Sequence, residues 1–202
     1  MRLKAIERQI YEALQLEQQD HALEAALQAH FEEVSRLVIL EEDGAGKRLL
    51  DFVVSYVRAV PTLLTDLCNA ARALGLIQYV QPLAQIAQEF FRLSFGPRTG
   101  LGAMMVKAYL THRLLEEVNE VCIFQAGEPM ISMDMTMTNV IIHTLIGEPF
   151  ANDLDEMVAE AVQRFFESNV DEVTMEPTNL VPIFQKMPSL SRQAGLRSAL
   201  GH

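Results

Sequence analysis

LGAMMVKAYLTHRLLEEVNEVCIFQA, residues 101–126, is the stretch whose reading decides the fold. At about 100° per residue, Leu101, Met104, Met105, Ala108, Leu115, Cys122 and Ile123 share one helix face. Leu110, Leu114, Val118 and Val121 take up much of the opposite side, and charge is confined to a strip of Arg113, Glu116, Glu117 and Glu120. A helix apolar around most of its circumference needs partners on several sides. The stretch therefore predicts the central helix of an all-α domain. His112 and Asn119 sit in the middle of its main apolar face, which makes them the first candidates for a polar site.

Working outward, the flanks continue the helical pattern. Leu3, Ile6, Ile10, Ala13 and Leu14 have helical spacing, and Glu17-Gln18-Gln19-Asp20-His21 interrupts it. Leu23, Ala26, Leu27, Phe31, Val34, Leu37 and Val38 resume it, as a second helix or as the continuation of one long helix. Glu41 to Gly46 reads as a loop, because acids at a helix C-terminus and paired glycines both favour stopping. Leu49–Val60 predicts a helix, Pro61 opens the next one at its first turn, and Gly75 ends that one. Pro82 opens a segment that stops at Gly96-Pro97.

Beyond residue 126, Gly127-Glu128-Pro129-Met130-Ile131-Ser132 recurs as Gly147-Glu148-Pro149-Phe150-Ala151-Asn152. One turn design is used twice: a glycine ends a helix, a proline prevents its continuation, and a capping side chain starts the next. Ile131, Met133, Met135 and Met137 alternate with polar residues, a strand-like period, but a lone strand has no partner. A helix starting near Asp134 is the expectation. Asp153 with Glu156 has the form of a capping box ahead of a stripe of Leu154, Met157, Val158, Ala161, Val162, Phe165 and Phe166. The expected architecture is one compact bundle of about eight helices over residues 1–177. A basic, proline-punctuated tail, 178–202, lies on the body or on a partner.

Composition excludes some tasks. Half of the 202 residues are apolar and tryptophan is absent, as in a globular chain. The charged N-terminus has no apolar run behind it, so no signal peptide is expected. No window is long and apolar enough for a membrane span. Two cysteines, Cys68 and Cys122, are too few for a disulfide framework, and buried thiols in a reducing cytoplasm are the expectation. The net charge of −11 is uneven. Residues 127–177 carry one arginine and eleven acids, whereas 178–202 carry three basic residues and no acid. Such a field argues against nucleic acid as a partner and permits a basic protein partner on the acidic segment.

Five patterns invite a chemical reading. Glu17/His21, His112/Glu116 and His30/Glu33 have helical spacing for paired metal ligands, yet no Glu-x-x-His occurs. A buried imidazole satisfied by Asn119 or by a backbone carbonyl is the simpler account of His112. Methionines 130, 133, 135 and 137 suit Cu(I), but read better as flexible core filler. Gly44-Ala45-Gly46-Lys47-Arg48 fails as a phosphate loop, since Arg48 stands where Ser or Thr should hold Mg²⁺. The Gly96–Gly102 loop carries Arg98 into a helix N-terminus, with Lys107 about two turns on, and could hold an anion. Asn152 to Glu160 is similar to the second Mg²⁺ motif of terpene synthases. It departs from that pattern at Glu156, where Ser or Thr is needed, and lacks an aspartate-rich partner upstream.

The sequence therefore leads to a cytoplasmic helical interaction or regulatory protein working as a homodimer, with no cofactor. The alternative is a metal- or small-ligand-binding bundle, with or without catalysis, whose polar pocket lies near His112, Asn119 and Glu116, with Arg98 and Lys107 as anion-holding groups.

Overall fold

The computed structural model describes residues 3–96, 98–131, 135–167, 169–170 and 173–186. Eight α-helices follow one another among these residues: α1 Leu3–Asp20, α2 Ala22–Gln28, α3 Phe31–Val34, α4 Ala45–Ala73, α5 Ile77–Phe90, α6 Gly100–Ala126, α7 Thr136–Ile146 and α8 Phe150–Glu167. A two-residue antiparallel ladder, β1 Asn169–Val170 with β2 Val173–Thr174, leads into two 3-10 turns, Pro177–Asn179 and Val181–Lys186. The all-α bundle expected from residues 101–126 is the observed architecture.

Helix α6 is the axis of the molecule. It packs against α1, α4, α5, α7, α8 and the 177–179 turn. Burial runs round most of its circumference, from Leu101 and Met105 on one side to Leu110, Leu114 and Val118 on the other. Its end departs from expectation. Ile123, placed by periodicity on the buried face, is half exposed, and Phe124 is 91 % exposed, because the helix runs past its neighbours just before Gly127. Glu116, placed by periodicity in the charged strip, is only 6 % exposed.

Several boundaries differ from the sequence reading for identifiable reasons. Residues 3–38 form two helices and a short third. His21 adopts φ 51°, and the buried carboxylate of Glu17 accepts the backbone N–H groups of Leu23 (3.0 Å) and Glu24 (2.9 Å). A glutamate one turn inside α1 thus caps the start of α2. Gly46 lets α2 and α4 approach closely: a Cβ there would stand 3.0 Å from the Glu24 carbonyl oxygen, and its N–H donates to Gln28 Oε1 at 2.7 Å.

Pro61 does not open a helix. It lies buried in the middle of the 29-residue α4, and Pro82 likewise lies inside α5. Both helices continue because their apolar faces are buried, which outweighs one missing hydrogen bond each. Helix α8 begins at Phe150, so Asp153 sits in its first turn and is not the cap. Gly127 (φ 80°) and Gly147 (φ 84°) both follow the last turn of a helix in positive-φ conformations, as the repeated turn predicted. Helix α7 starts at Thr136; the predicted start near Asp134 lies outside the described residues. Of the tail, Leu180 and Ile183 are buried, with the 3-10 turns against α6 and α4; residues 187–202 lie outside the described residues.

Candidate functional site

The apolar core of α6 is interrupted on one flank by a continuous polar chain. Tyr56 of α4 is fully buried, and its hydroxyl donates to Asn139 Oδ1 of α7 at 2.7 Å. Asn139 Nδ2 donates to Glu116 Oε2 at 2.7 Å. Glu116 also receives Arg113 Nη1, while Arg113 Nη2 reaches Glu117 and Arg113 Nε reaches Asp155 Oδ1 of α8 at 3.2 Å. The same Asp155 oxygen accepts the Tyr109 hydroxyl at 2.7 Å. His143 Nε2 lies 3.1 Å from Asn152 Oδ1 and 3.5 Å from Asp155 Oδ2. The chain emerges at a cleft of about 310 Å³ between α6, α7 and α8, lined among others by Tyr109, Arg113, Glu116, Asn139, His143 and Asp155.

Helical spacing explains how α6 supplies half of this cluster. Tyr109, Arg113, Glu116 and Glu117 fall at i, i+4, i+7 and i+8, so they share one face. Three carboxylates converge on one guanidinium, leaving a formal charge of −2 around it. Burial alone would lower the Arg113 pKa; the hydrogen bond and charge of Glu116, then Glu117 and Asp155, raise it above its ordinary value. Burial, then the Asp155 hydrogen bond and charge, pushes the Tyr109 hydroxyl up, and burial does the same to Tyr56. The Glu120 carboxyl is raised by burial and then by the negative charges of Glu117 and Glu116. Excess negative charge at this end of the cleft is therefore felt beyond the cluster itself.

His112 stands beside this chain without joining it. Its ring stacks on Tyr56, with centroids 4.1 Å apart, and its Nε2 lies 3.2 Å from the Tyr56 carbonyl oxygen. A carbonyl only accepts, so Nε2 carries the proton. Burial pulls the His112 pKa down to about 4, so the ring is neutral at pH 7 and Nδ1 turns its lone pair toward Met135 Sδ, 3.3 Å away. The backbone carbonyl is the partner that satisfies this histidine. Asn119 is engaged elsewhere: its Oδ1 accepts the Ile131 N–H at 2.9 Å and pins the turn after α6.

Arg98 and Lys107, read from the sequence as anion-holding groups, both hold helix C-termini. Arg98 Nη2 donates to the Ile146 carbonyl at 3.1 Å, and its guanidinium lies 4.3 Å from the Phe150 ring centroid. Lys107 Nζ donates to the Phe91 carbonyl at 3.0 Å, and burial lowers its pKa. Both place a cation against the negative end of a helix dipole, α7 for Arg98 and α5 for Lys107. Neither lines the α6–α8 cleft.

Of the sequence candidates, Glu116 is in the cluster and His112 borders it. Sequence reading missed Tyr56, Tyr109, Asn139, His143 and Asp155 as members. One signal was present: Asn139 is an amide inside the apolar run that continues Val140-Ile141-Ile142. Of the three helically spaced His/Glu pairs, His30 and Glu33 meet, 2.9 Å apart at the surface, whereas Glu17 caps α2 and His112 takes the Tyr56 carbonyl. Among the described residues, no group of three or more His, Cys, Asp or Glu side chains could hold a metal ion. Cys68 and Cys122 are buried and in no disulfide, and burial pushes the Cys122 thiol up to about 12. Among the described residues, no helix is long and apolar enough to cross a membrane. Compared with protein families, curated proteins and solved structures, the chain matches none.

Proposed function

We propose that this chain is a cytoplasmic helical interaction protein that recognises a basic partner through the acidic surface of α6 and α8. The observation that carries the reading is the excess of carboxylates around Arg113. Glu116 is buried and holds the cluster together, whereas Glu117 and Asp155 remain about one-third exposed and Glu120 is exposed. A groove of about 450 Å³ runs on between α6 and α8, with Glu117 and Glu176 beside Val121, Val162 and Phe166. An acidic rim over an apolar floor suits a segment that carries lysine or arginine on one side and apolar groups on the other.

Two further parts of the reading have their own support. Ile39 (95 %) and Phe124 (91 %) are large apolar side chains left in solvent, and we take them as the contact points of a homodimer. Two buried thiols that form no disulfide fit a reducing compartment. Native mass spectrometry reads the first directly, as a dimer that reverts to monomer in Phe124→Ser.

The partner reading is tested by fluorescence anisotropy with labelled decalysine and decaglutamate. Decalysine is expected to bind, to weaken steeply with salt, and to weaken several-fold in Glu117→Gln/Glu120→Gln. Equal binding of both peptides, or none of decalysine, overturns it. His112→Gln leaves peptide binding unchanged, because His112 faces the core.

A further inference from the structure

A second cleft, of about 630 Å³, lies between α4 and α5, roughly twice the volume of the one at Arg113. Its walls are chemically opposite. Arg72 comes from the last turn of α4, and Gln81, Gln85, Gln88, Glu89 and Arg92 come from α5 and the residues just past it. Gln81, Gln85, Gln88 and Arg92 fall at i, i+4, i+7 and i+11, so one face of α5 presents three amides and a guanidinium. Two arginines against one glutamate leave the cleft at +1 in a protein whose net charge is −11.

Several of the donors are also open. Arg72 uses Nη1 on Asn69 Oδ1 (2.9 Å), and Gln88 donates to the Ala84 carbonyl (3.1 Å). Among the described residues, the side chains of Arg92, Gln81 and Gln85 make no hydrogen bond or ion pair. The cleft has the volume of a small-molecule site, with convergent polar groups over an apolar floor that includes Ile77 and Ala84.

We propose that this cleft binds a small oxyanion, a phosphate or carboxylate group held between the guanidinium groups of Arg72 and Arg92, with the amides of Gln81 and Gln85 taking the hydrogen-bonding groups of the ligand body. Guanidinium pairs such oxygens bidentately, and glutamine offers both a donor and an acceptor, so the anion is anchored and its body is read. Glu89 disfavours a more highly charged anion and sets the weak point of the site.

The test is isothermal titration calorimetry at constant ionic strength with two probes, inorganic phosphate and lactate. Wild-type protein is expected to bind at least one saturably, and the tighter probe assigns the source of the oxyanion. Arg92→Gln weakens that binding about ten-fold and Arg72→Gln/Arg92→Gln abolishes it. Both arginines are exposed, so the thermal midpoint without ligand stays unchanged. Glu89→Gln tightens binding several-fold, a gain that a folding defect cannot produce. Absence of saturable binding to both probes overturns the proposal, as does undiminished binding to the double variant.

Discussion

The clefts at Arg113 and at Arg72/Arg92 sit on one molecule and are built in opposite ways. At Arg113 the groups are interlocked: Tyr56, Asn139, Glu116, Arg113, Asp155 and Tyr109 form one run of hydrogen bonds linking α4, α6, α7 and α8. At Arg72 and Arg92 the side chains stand on the surface, and those of Gln81, Gln85 and Arg92 make no hydrogen bond or ion pair among the described residues. Charge buried in a cluster is stable only when each member is paired, so such a cluster specifies how helices sit against one another. Donors left open in a cleft contribute little to folding and are available to a ligand. The difference teaches that buried polar chemistry here holds the fold, while the recognition we propose falls on the exposed rims.

Substitutions that separate stability from binding break or sharpen this contrast. The largest effect is expected for Arg113→Met. It leaves Glu116 buried beside Glu117 and Asp155 with no cation, which costs about 3 kcal/mol in a urea denaturation, the low end for a broken buried pair because Arg113 is partly exposed. A loss below about 0.5 kcal/mol would mean that the cluster does not hold the helices.

The next effect is pH-dependent. His112 titrates near 4 in the folded protein because burial disfavours its charged form, against an ordinary value of 6.5. Between those values the unfolded chain binds the proton and the folded chain does not. The stabilisation is therefore complete above pH 6.5 and is lost as pH falls toward 4, a change of about 3 kcal/mol. His112→Gln should remove that slope; an identical pH profile in wild type and variant contradicts a buried neutral imidazole.

Tyr56→Phe deletes the donor to Asn139 and leaves a buried amide oxygen unpaired, at a cost of about 1–2 kcal/mol by the same denaturation. The smallest effect on stability belongs to the other cleft. Arg92→Gln should change it by less than about 0.5 kcal/mol, although it weakens anion binding.

The fold was legible because residues 101–126 are apolar on almost all sides, and only a surrounded helix satisfies that. The extent of α4 was not. A proline is a sound breaker signal, but at Pro61 burial of Val53, Val57, Val60 and Leu64 keeps the helix continuous. The site was legible only along α6. Periodicity showed Arg113, Glu116 and Glu117 sharing a strip, but not that Glu116 is buried. Tyr56 and Asn139 are 83 residues apart, and Arg113 and Asp155 are 42 apart. Those contacts exist only once α4, α7 and α8 are packed on the central helix, and no local pattern announces them. In the sequence Arg98 and Lys107 read as anion-holding groups at the start of α6; that they hold the C-termini of α7 and α5 depends on chain packing.

The central claim, that the two exposed rims recognise opposite charges, is tested most directly by one NMR experiment. A ¹H–¹⁵N spectrum with side-chain resonances assigned is titrated in parallel with decalysine and with inorganic phosphate. Decalysine should shift the amides around Glu117, Glu120 and Asp155 and leave Arg92 and the Gln81 and Gln85 side chains unmoved, while phosphate should do the reverse. Shifts from both ligands on one rim, or from neither on its assigned rim, would contradict the account.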